Sequence, residues 1–308
     1  MAEDQDPNFS PWHEGEVRLQ QEIGVADRMA RVGRAAVREY LIEQHRLFYP
    51  LLPFVVFGTV DDAGNPWATL RANHPGFLVA PDAYHLNVRL PPQPGDPAEE
   101  GLKDGDAVAL LGIDLHTRRR NRLNGILHRG TEREFAIAVE HAFGNCPRYI
   151  QRRDIAFVRD PELPDFSQPV QLDRLEACAA DLVRHADTLF VSSYMIDAQG
   201  HRHVDVSHRG GRSGFVTLGA GGVLTIPDFA GNRYFNTLGN FLVNPRGGLT
   251  FVDFHTGDLL QMTGSVEVLS GFTELSAHPG AEHLWRFQPA QIIRRSGALP
   301  LRGELTSD

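Results

Sequence analysis

The chain writes one phrase twice. Residues 114–125 read DLHTRRRNRLNG and residues 253–264 read DFHTGDLLQMTG. Both begin Asp-x-His-Thr, and in both a glycine stands 11 positions after the aspartate (125 − 114 and 264 − 253). A second pair, Gly76-Phe77 and Gly214-Phe215, recurs at an offset of 138, against 139 for the first. A chance four-residue match would not usually keep its order, its spacing and its neighbouring turns. With 308 residues the chain has room for two units, each with its own core. The expectation is one chain that imitates a homodimer.

The apolar pattern says what the unit is made of. Between Glu16 and Leu47 apolar residues mostly recur every three or four positions, which predicts one or two amphipathic helices after a loose tail over 1–15. Then the period changes. PFVVFGTV (53–60), a DDAGN turn and PWATLRA read as a hairpin, and GFLVAPDAYHLNV reads as another. LPPQPGDPAEEGLKDGD reads as a surface loop, and AVALLGIDL and RLNGILHRG as paired strands. In EREFAIAVEHAF, Phe135, Ile137 and Val139 alternate with alanines, which favours a strand. RDPELPDFSQPVQ (159–171) reads as a linker and LDRLEACAADLVRHAD as a helix. Strands then resume: TLFVSSYMI, HRHVDVSH, FVTL, VLTIP, GLTFVDF, LLQMTGSVEVL and LWRFQPAQIIR, with a helical piece over NTLGNFLVN. The predicted organisation is 1–48 tail and helices, 49–158 first unit, 159–187 linker and helix, and 188–308 second unit.

Composition excludes several chemistries. Net charge is −9 with a pI near 5.9, a poor basis for nucleic-acid binding. No window of 18 apolar residues suggests a membrane span, and the acidic N-terminus is unlike a secretory signal, so the expected location is cytoplasmic. Cys146 and Cys178 are too few for a disulfide framework or a thiolate metal cluster. Lys103 is the only lysine, in a polar GLKDGD turn. A P-loop is therefore absent, a lysine Schiff base has no suitable place, and arginine must do the anion binding. No Rossmann fingerprint is present.

Two stretches point to anions. RGGRSG (209–214) combines glycines, which let backbone N–H groups approach an anion, with two arginines; the plain alternative is a hairpin loop. The run Arg118, Arg119, Arg120, Asn121, Arg122 could hold a second anion or reach across a seam, or could be a solvated turn. Strand alternation lets half of its arginines share one site. Cys146 reads as a small residue in a turn before Pro147 or as a thiol near Arg148. His116 and His255 occupy equivalent points of the repeat and read as structural, and no metal site is expected.

The second half resembles the FMN-binding split barrels of the pyridoxamine 5′-phosphate oxidase superfamily. The resemblance rests on HVDVSHRGGRSGFV, on VLTIPDFAGNRYFNTLGNFLVNPRGGLTF, and on a strand ending in Thr-Gly. The first half is similar to a longer branch with Pro66-Trp67-Ala68, LHTRRRNRLNG and FGNCPRYIQ (143–151). The resemblance implies a mainly β fold with flanking helices: two tandem FMN-binding split β-barrels forming an intrachain pseudo-dimer, with FMN in the seam. It implies phosphate contacts from Ser207, His208, Arg209, Asn232 and Arg233, and a ring lying against Thr225, Ile226 and Pro227. Asn236, Thr237, Asn240, Gln261 and Trp285 complete the implied cofactor set. The oxidases have a lysine where His208 stands, so a permanent charge is missing. No residues match those that position pyridoxamine phosphate, and no catalytic residue is named.

The expected function is an FMN-dependent oxidoreductase that uses a reduced nicotinamide or a small organic donor, with no nucleic-acid or membrane partner. The alternatives are a non-catalytic FMN carrier or sensor, a heme-binding or heme-degrading split barrel, and a scaffold without ligand.

Overall fold

The computed structural model describes residues 10–163, 168–269, 275 and 278–306. The fold is mainly β, built as two tandem split β-barrel units with helices at their flanks. The first sheet contains β1 (Phe54–Val60), β2 (Pro66–Ala72), β3 (Leu78–Val79), β4 (His85–Arg89), β5 (Ala107–Asp114), β6 (Arg119–Arg129) and β7 (Glu134–Gly144). Its order is β2-β1-β5-β6-β7-β4-β3. Two short strands follow, β8 (Arg153–Phe157) and β9 (Pro169–Leu172). The second sheet contains β10 (Thr188–Ile196), β11 (Arg202–Gly210), β12 (Thr217–Leu218), β13 (Leu224–Phe229), β14 (Arg246–Val252), β15 (Leu259–Leu269) and β16 (Ala281–Arg295). Its order is β11-β10-β14-β15-β16-β13-β12, the same path when β1–β7 are laid on β10–β16. In each sheet the two edge strands are consecutive in sequence, and among the described residues they do not pair with each other. Each barrel is open at that point.

The repeated phrase has one structural job in both units. Asp114 Oδ1 accepts from the N–H groups of His116 and Thr117, and Asp253 Oδ1 accepts from those of His255 and Thr256. An aspartate that bonds its own backbone two and three residues on makes a tight turn. The closing glycines sit at matching register shifts, Asn124/Gly125 in the first sheet and Thr263/Gly264 in the second. A Cβ at Gly125 would lie 1.9 Å from the Ala138 carbonyl oxygen, and one at Gly264 2.1 Å from that of Gln288. Only glycine permits this approach at the bulge.

Strand alternation builds three cores at once. On β1, Val55 and Phe57 face the core of the first unit, while Phe54 and Val56 face a core shared by both units. On β10, Leu189 and Val191 face the second unit's core, and Phe190 faces the shared one. Both faces of β1 are covered, which is why PFVVFGTV reads as a continuous apolar run. Each buried Val, Leu or Phe side chain contributes about 1.5–3 kcal/mol, so the shared core binds the two units to each other. The seam places β2 against β10, β14 and β15, and β11 against β1, β5 and β6.

Helices α1 (Glu14–Glu22), α2 (Ala26–Ala36) and α3 (Glu43–Arg46) precede the first sheet, α4 (Ala177–His185) precedes the second, and α5 (Asn236–Val243) joins β13 to β14. Three expectations change. Residues 1–9 lie outside the described residues, but 10–15 are no loose tail: Trp12 is buried and its Nε1 donates to the Met29 carbonyl at 2.8 Å. The helix expected over 172–187 starts only at Ala177, because Leu172 ends β9, which pairs with the long β16. The expected linker is thus part sheet. The C-terminal β17 (Leu301–Leu305) also pairs with β8, tying the chain's end back to the first unit.

Candidate functional site

One crossing of the seam is a cleft of about 730 Å3, its mouth included. Arg120 and Arg122 reach it from β6 of the first unit. The segment after β7 adds Asn145, Cys146, Arg148 and Tyr149. The second unit supplies Ser207, His208, Arg209 and Gly210 from β11, Pro227 to Phe229 from β13, and the loop that enters α5. Five lining residues are arginines (120, 122, 148, 209 and 233), and Asp228 is the single acid among them. The lining thus carries more positive than negative side chains, which favours an anion over a cation.

Arg122 is already committed. It is buried and donates to Asp205 Oδ1 at 2.8 Å, to Ser207 Oγ at 2.7 Å and to Asn236 Oδ1 at 3.0 Å. Ser207 and Thr237 hydroxyls lie 2.7 Å apart and complete this cross-seam network. Arg209 pairs with Asp228 at 2.9 Å and Arg233 with Glu282 at 3.0 Å. Arg120 differs. Its Nε donates to the Cys146 carbonyl at 2.8 Å and its Nη1 to His208 Nδ1 at 3.2 Å, and among the described residues it has no carboxylate partner. Burial, and then Arg122 and Arg209, push its pKa down to about 9.

His208 is buried, and burial followed by the three nearby guanidiniums of Arg120, Arg209 and Arg153 holds its pKa well below the ordinary value. It is neutral at pH 7. Arginine only donates, so Nδ1 accepts and Nε2 carries the proton. That Nε2 has no hydrogen-bond partner among the described residues.

The backbone agrees with the charges. Phe235, the residue before α5, takes a left-handed conformation (φ 62) and no side chain caps the helix. The first-turn N–H groups of α5 are therefore left for another acceptor, at the positive end of the helix dipole. Among the described residues four non-glycine residues have positive φ, and three of them, Tyr149, Arg233 and Phe235, line this cleft. Bulky residues avoid that region, and such strain gathers at ligand sites. Gly210 allows the close approach of the two units here, since a Cβ would lie 2.1 Å from the Tyr149 carbonyl oxygen.

Asn236 also borders a second opening, of about 1270 Å3 including its mouth, lined by Trp12, His13, Glu16, His141, Phe143 and His203 among others. Two glycines bring α1 to this place: a Cβ at Gly15 would lie 2.2 Å from the Gly239 carbonyl oxygen of α5. Glu16 thereby reaches Asn236, whose Nδ2 donates to its Oε1 at 2.5 Å. Burial is the main cause that raises the Glu16 pKa to about 8, so this carboxyl is protonated at neutral pH. His13 caps α1 by accepting from the Gly15 N–H, which leaves its Nε2–H to donate to Asn240 Oδ1 at 3.0 Å.

Of the residues singled out in the sequence, Ser207, His208, Arg209, Pro227, Asn232, Arg233, Asn236, Thr237, Arg120 and Arg122 converge on the cleft. Others do not. Trp285 is fully buried in the second core, 5.1 Å from the Phe241 ring centroid, where no ligand ring can stack on it. Ile226 belongs to the same core, and Thr225 pairs with Arg286 away from the cleft. Asn240 borders the second opening. Gln261 lies at the other seam crossing, donating to the Ala68 carbonyl and Asp96. Arg119 lies over the Phe48 ring and donates to the Gln44 carbonyl, and Arg118 is the left-handed turn residue. Alternation along β6 thus brings Arg120 and Arg122 in and leaves Arg119 out. Sequence reasoning missed Asp205, Glu16 and Tyr149, which act through contacts distant in sequence.

No family model matches the chain, and no curated protein matches it. Solved structures similar to parts of it include a putative pyridoxamine 5′-phosphate oxidase from Lactobacillus delbrueckii (20% identity, 34% of this chain and 95% of that chain, TM-score 0.28). The heme storage protein HutZ from Vibrio cholerae (19% identity, 41% and 96%, TM-score 0.28) and the FAD binding protein from Mycobacterium smegmatis (15% identity, 41% and 98%, TM-score 0.28) are also similar. No helix among the described residues is long and apolar enough to cross a membrane.

Proposed function

We propose that the arginine cleft binds the phosphate of FMN and that the protein is an FMN-dependent oxidoreductase. The observation that carries the reading is Arg120: a partly buried guanidinium without a carboxylate partner among the described residues, beside a neutral His208 and the uncapped start of α5. All three ask for acceptor oxygens, and a phosphate supplies them. Arg120, Arg209, Arg233 and the first-turn N–H groups of α5 would hold it, with Arg122 fixing the two units around it. FMN, when bound, supplies two-electron chemistry at its ring. The opening that shares Asn236 with the cleft is our place for the electron donor, a small organic molecule or a reduced nicotinamide. The protonated Glu16, held by the His13 N–H and Asn236, lines that place together with Asp197 and Asp205. The matching strand orders are the trace we assign to an internal duplication.

The absorption spectrum of the purified protein tests this. Flavin bands, with FMN released on denaturation, are the expected result. A colourless protein that takes up no added FMN would remove the reading. Oxidation of a reduced nicotinamide by the loaded protein separates an enzyme from an FMN carrier or sensor. A second reading, heme, is favoured by His141 on the wall of the second opening, where burial is the first cause holding its pKa below the ordinary histidine value and so keeping it neutral. A Soret band in place of flavin bands would establish it.

A further inference from the structure

The seam has a second crossing, related to the arginine cleft by exchanging the two units. Pairing registers give the correspondence. Ser207 and Arg209 stand opposite Val191 and Leu189, and Thr69 and Arg71 opposite Phe57 and Val55 in the equivalent strands. Arg122 stands opposite Leu111, and Gln261 opposite Thr250. Asn145 donates its N–H to the carbonyl of Arg120, whereas Arg295 stands opposite Leu259. The hydroxyl and one guanidinium recur, and another cation has moved across the ladder, from Arg120 to Arg295.

What faces these groups is different. At the second crossing Asp96 Oδ2 lies 3.0 Å from Arg295 Nη1 and accepts from Thr69 Oγ1 at 2.5 Å. Its Oδ1 accepts from Gln261 Nε2 at 2.9 Å and from the Ala98 N–H at 3.0 Å. Glu99 takes Arg71 at 2.6 Å. Both acids come from the Pro- and acid-rich loop after β4, the same place in the unit as the loop after β13 that leads into α5. The Asp96 side chain caps the short 3-10 helix that follows it (Pro97–Gly101), and α5 lacks such a cap. Neither the Asp96 nor the Arg295 side chain has accessible surface. Burial alone would raise the Asp96 pKa, but Arg295, Arg71, Gln261 and Thr69 outweigh it and hold the carboxyl ionised.

We infer that the second crossing is an anion site kept filled by the chain's own Asp96 carboxylate, so each chain takes one phosphate-bearing ligand, in the arginine cleft alone. A homodimer of identical units would present two equal sites. Here one unit has grown a carboxylate with the charge and acceptor oxygens of a bound phosphate, on donors of the kind that would hold one. The single-ligand statement rests on the reading of the arginine cleft; the filling of the second crossing does not.

Asp96→Ala removes the carboxylate and leaves Arg295 buried without it. The variant should melt lower than the wild type. Inorganic phosphate should then raise its Tm by about 3 °C more than it raises that of the wild type, against chloride at equal ionic strength. Asp96→Asn, which keeps the shape and most hydrogen bonds, should show the same selective gain if the alanine variant folds poorly. No phosphate-selective gain in either variant, or failure of both to fold in phosphate as well as in chloride, would overturn the inference. Titration of the wild type with FMN should saturate at one equivalent. Two equivalents would overturn the inference and support the FMN reading; no FMN binding with phosphate rescue of Asp96→Ala would do the reverse.

Discussion

The Arg120 guanidinium donates to Nδ1 of His208 at 3.2 Å, and among the described residues neither side chain has a carboxylate partner. A cation and a neutral imidazole, brought together from different units, sit in a cleft whose other cations are mostly paired. Such an arrangement is incomplete in charge, and a bound anion would complete it.

Arg120→Met should therefore separate binding from stability. FMN affinity should fall 10- to 100-fold, the equivalent of about 1.5–3 kcal/mol for hydrogen bonds to a charged group. The stability of the protein without FMN should be unchanged or rise by up to about 1 kcal/mol, since a partly buried, unneutralised charge is removed. Fluorescence titration and urea unfolding read the two effects. Equal loss in both would show that Arg120 is structural.

A graded series follows from the pairing. Arg233 lines the cleft but already meets Glu282 at 3.0 Å, and Arg118 is a turn residue outside it. Arg233→Ala should weaken FMN retention about 5-fold and Arg118→Ala by less than about 2-fold, both less than Arg120→Met. Dialysis retention ranks the three, and an equal or reversed order of Arg233 and Arg118 would displace the phosphate site.

Glu16 gives the protein a pH dependence of known sign. Its pKa rises from 4.5 to about 8 on folding, so the folded state holds a proton that the unfolded state has lost between those values. Its contribution is best below pH 4.5 and falls as pH rises toward 8, by on the order of 3–5 kcal/mol in all. Glu16→Gln should remove that slope. The difference in urea-unfolding free energy between variant and wild type should grow from pH 5 to pH 8. Buried neutral histidines such as His208 act in the opposite sense at acid pH and cancel in this difference. A constant difference across the range would show that Glu16 is ionised in the folded protein.

Gly125→Ala and Gly264→Ala should each cost about 3 kcal/mol or more, because a Cβ there meets backbone oxygen that cannot move away cheaply. Asp114→Ala, which loosens a turn at the surface, should cost about 1 kcal/mol or less. Urea midpoints measure all three. A mild glycine variant would mean that the bulge can slide.

Much of the fold is legible in short stretches of the chain. Local patterns carry strands: alternation at 135–139 fixed β7, and continuous apolar runs marked β1 and β10, the strands covered on both faces. The repeated Asp-x-His-Thr…Gly phrase carried the equivalence of the two units, because its turn and bulge depend on nearby backbone alone. The RGGRSG loop and the run Arg118–Arg122 suggested an anion, but of these stretches only Arg209, Gly210, Arg120 and Arg122 line the cleft. Other features depend on contacts between distant parts of the chain. Whether an arginine is free or neutralised depends on carboxylates far away in sequence, such as Asp205 for Arg122 and Asp96 for Arg295. Trp285 looked suited to a ligand ring and went to the core because β16 turns that face inward. The pairing of β9 with β16 and of β17 with β8 left no local sign, since short edge strands gain their stability from the partner they meet. Charge balance and edge pairing are sums over neighbours that only the folded chain brings together.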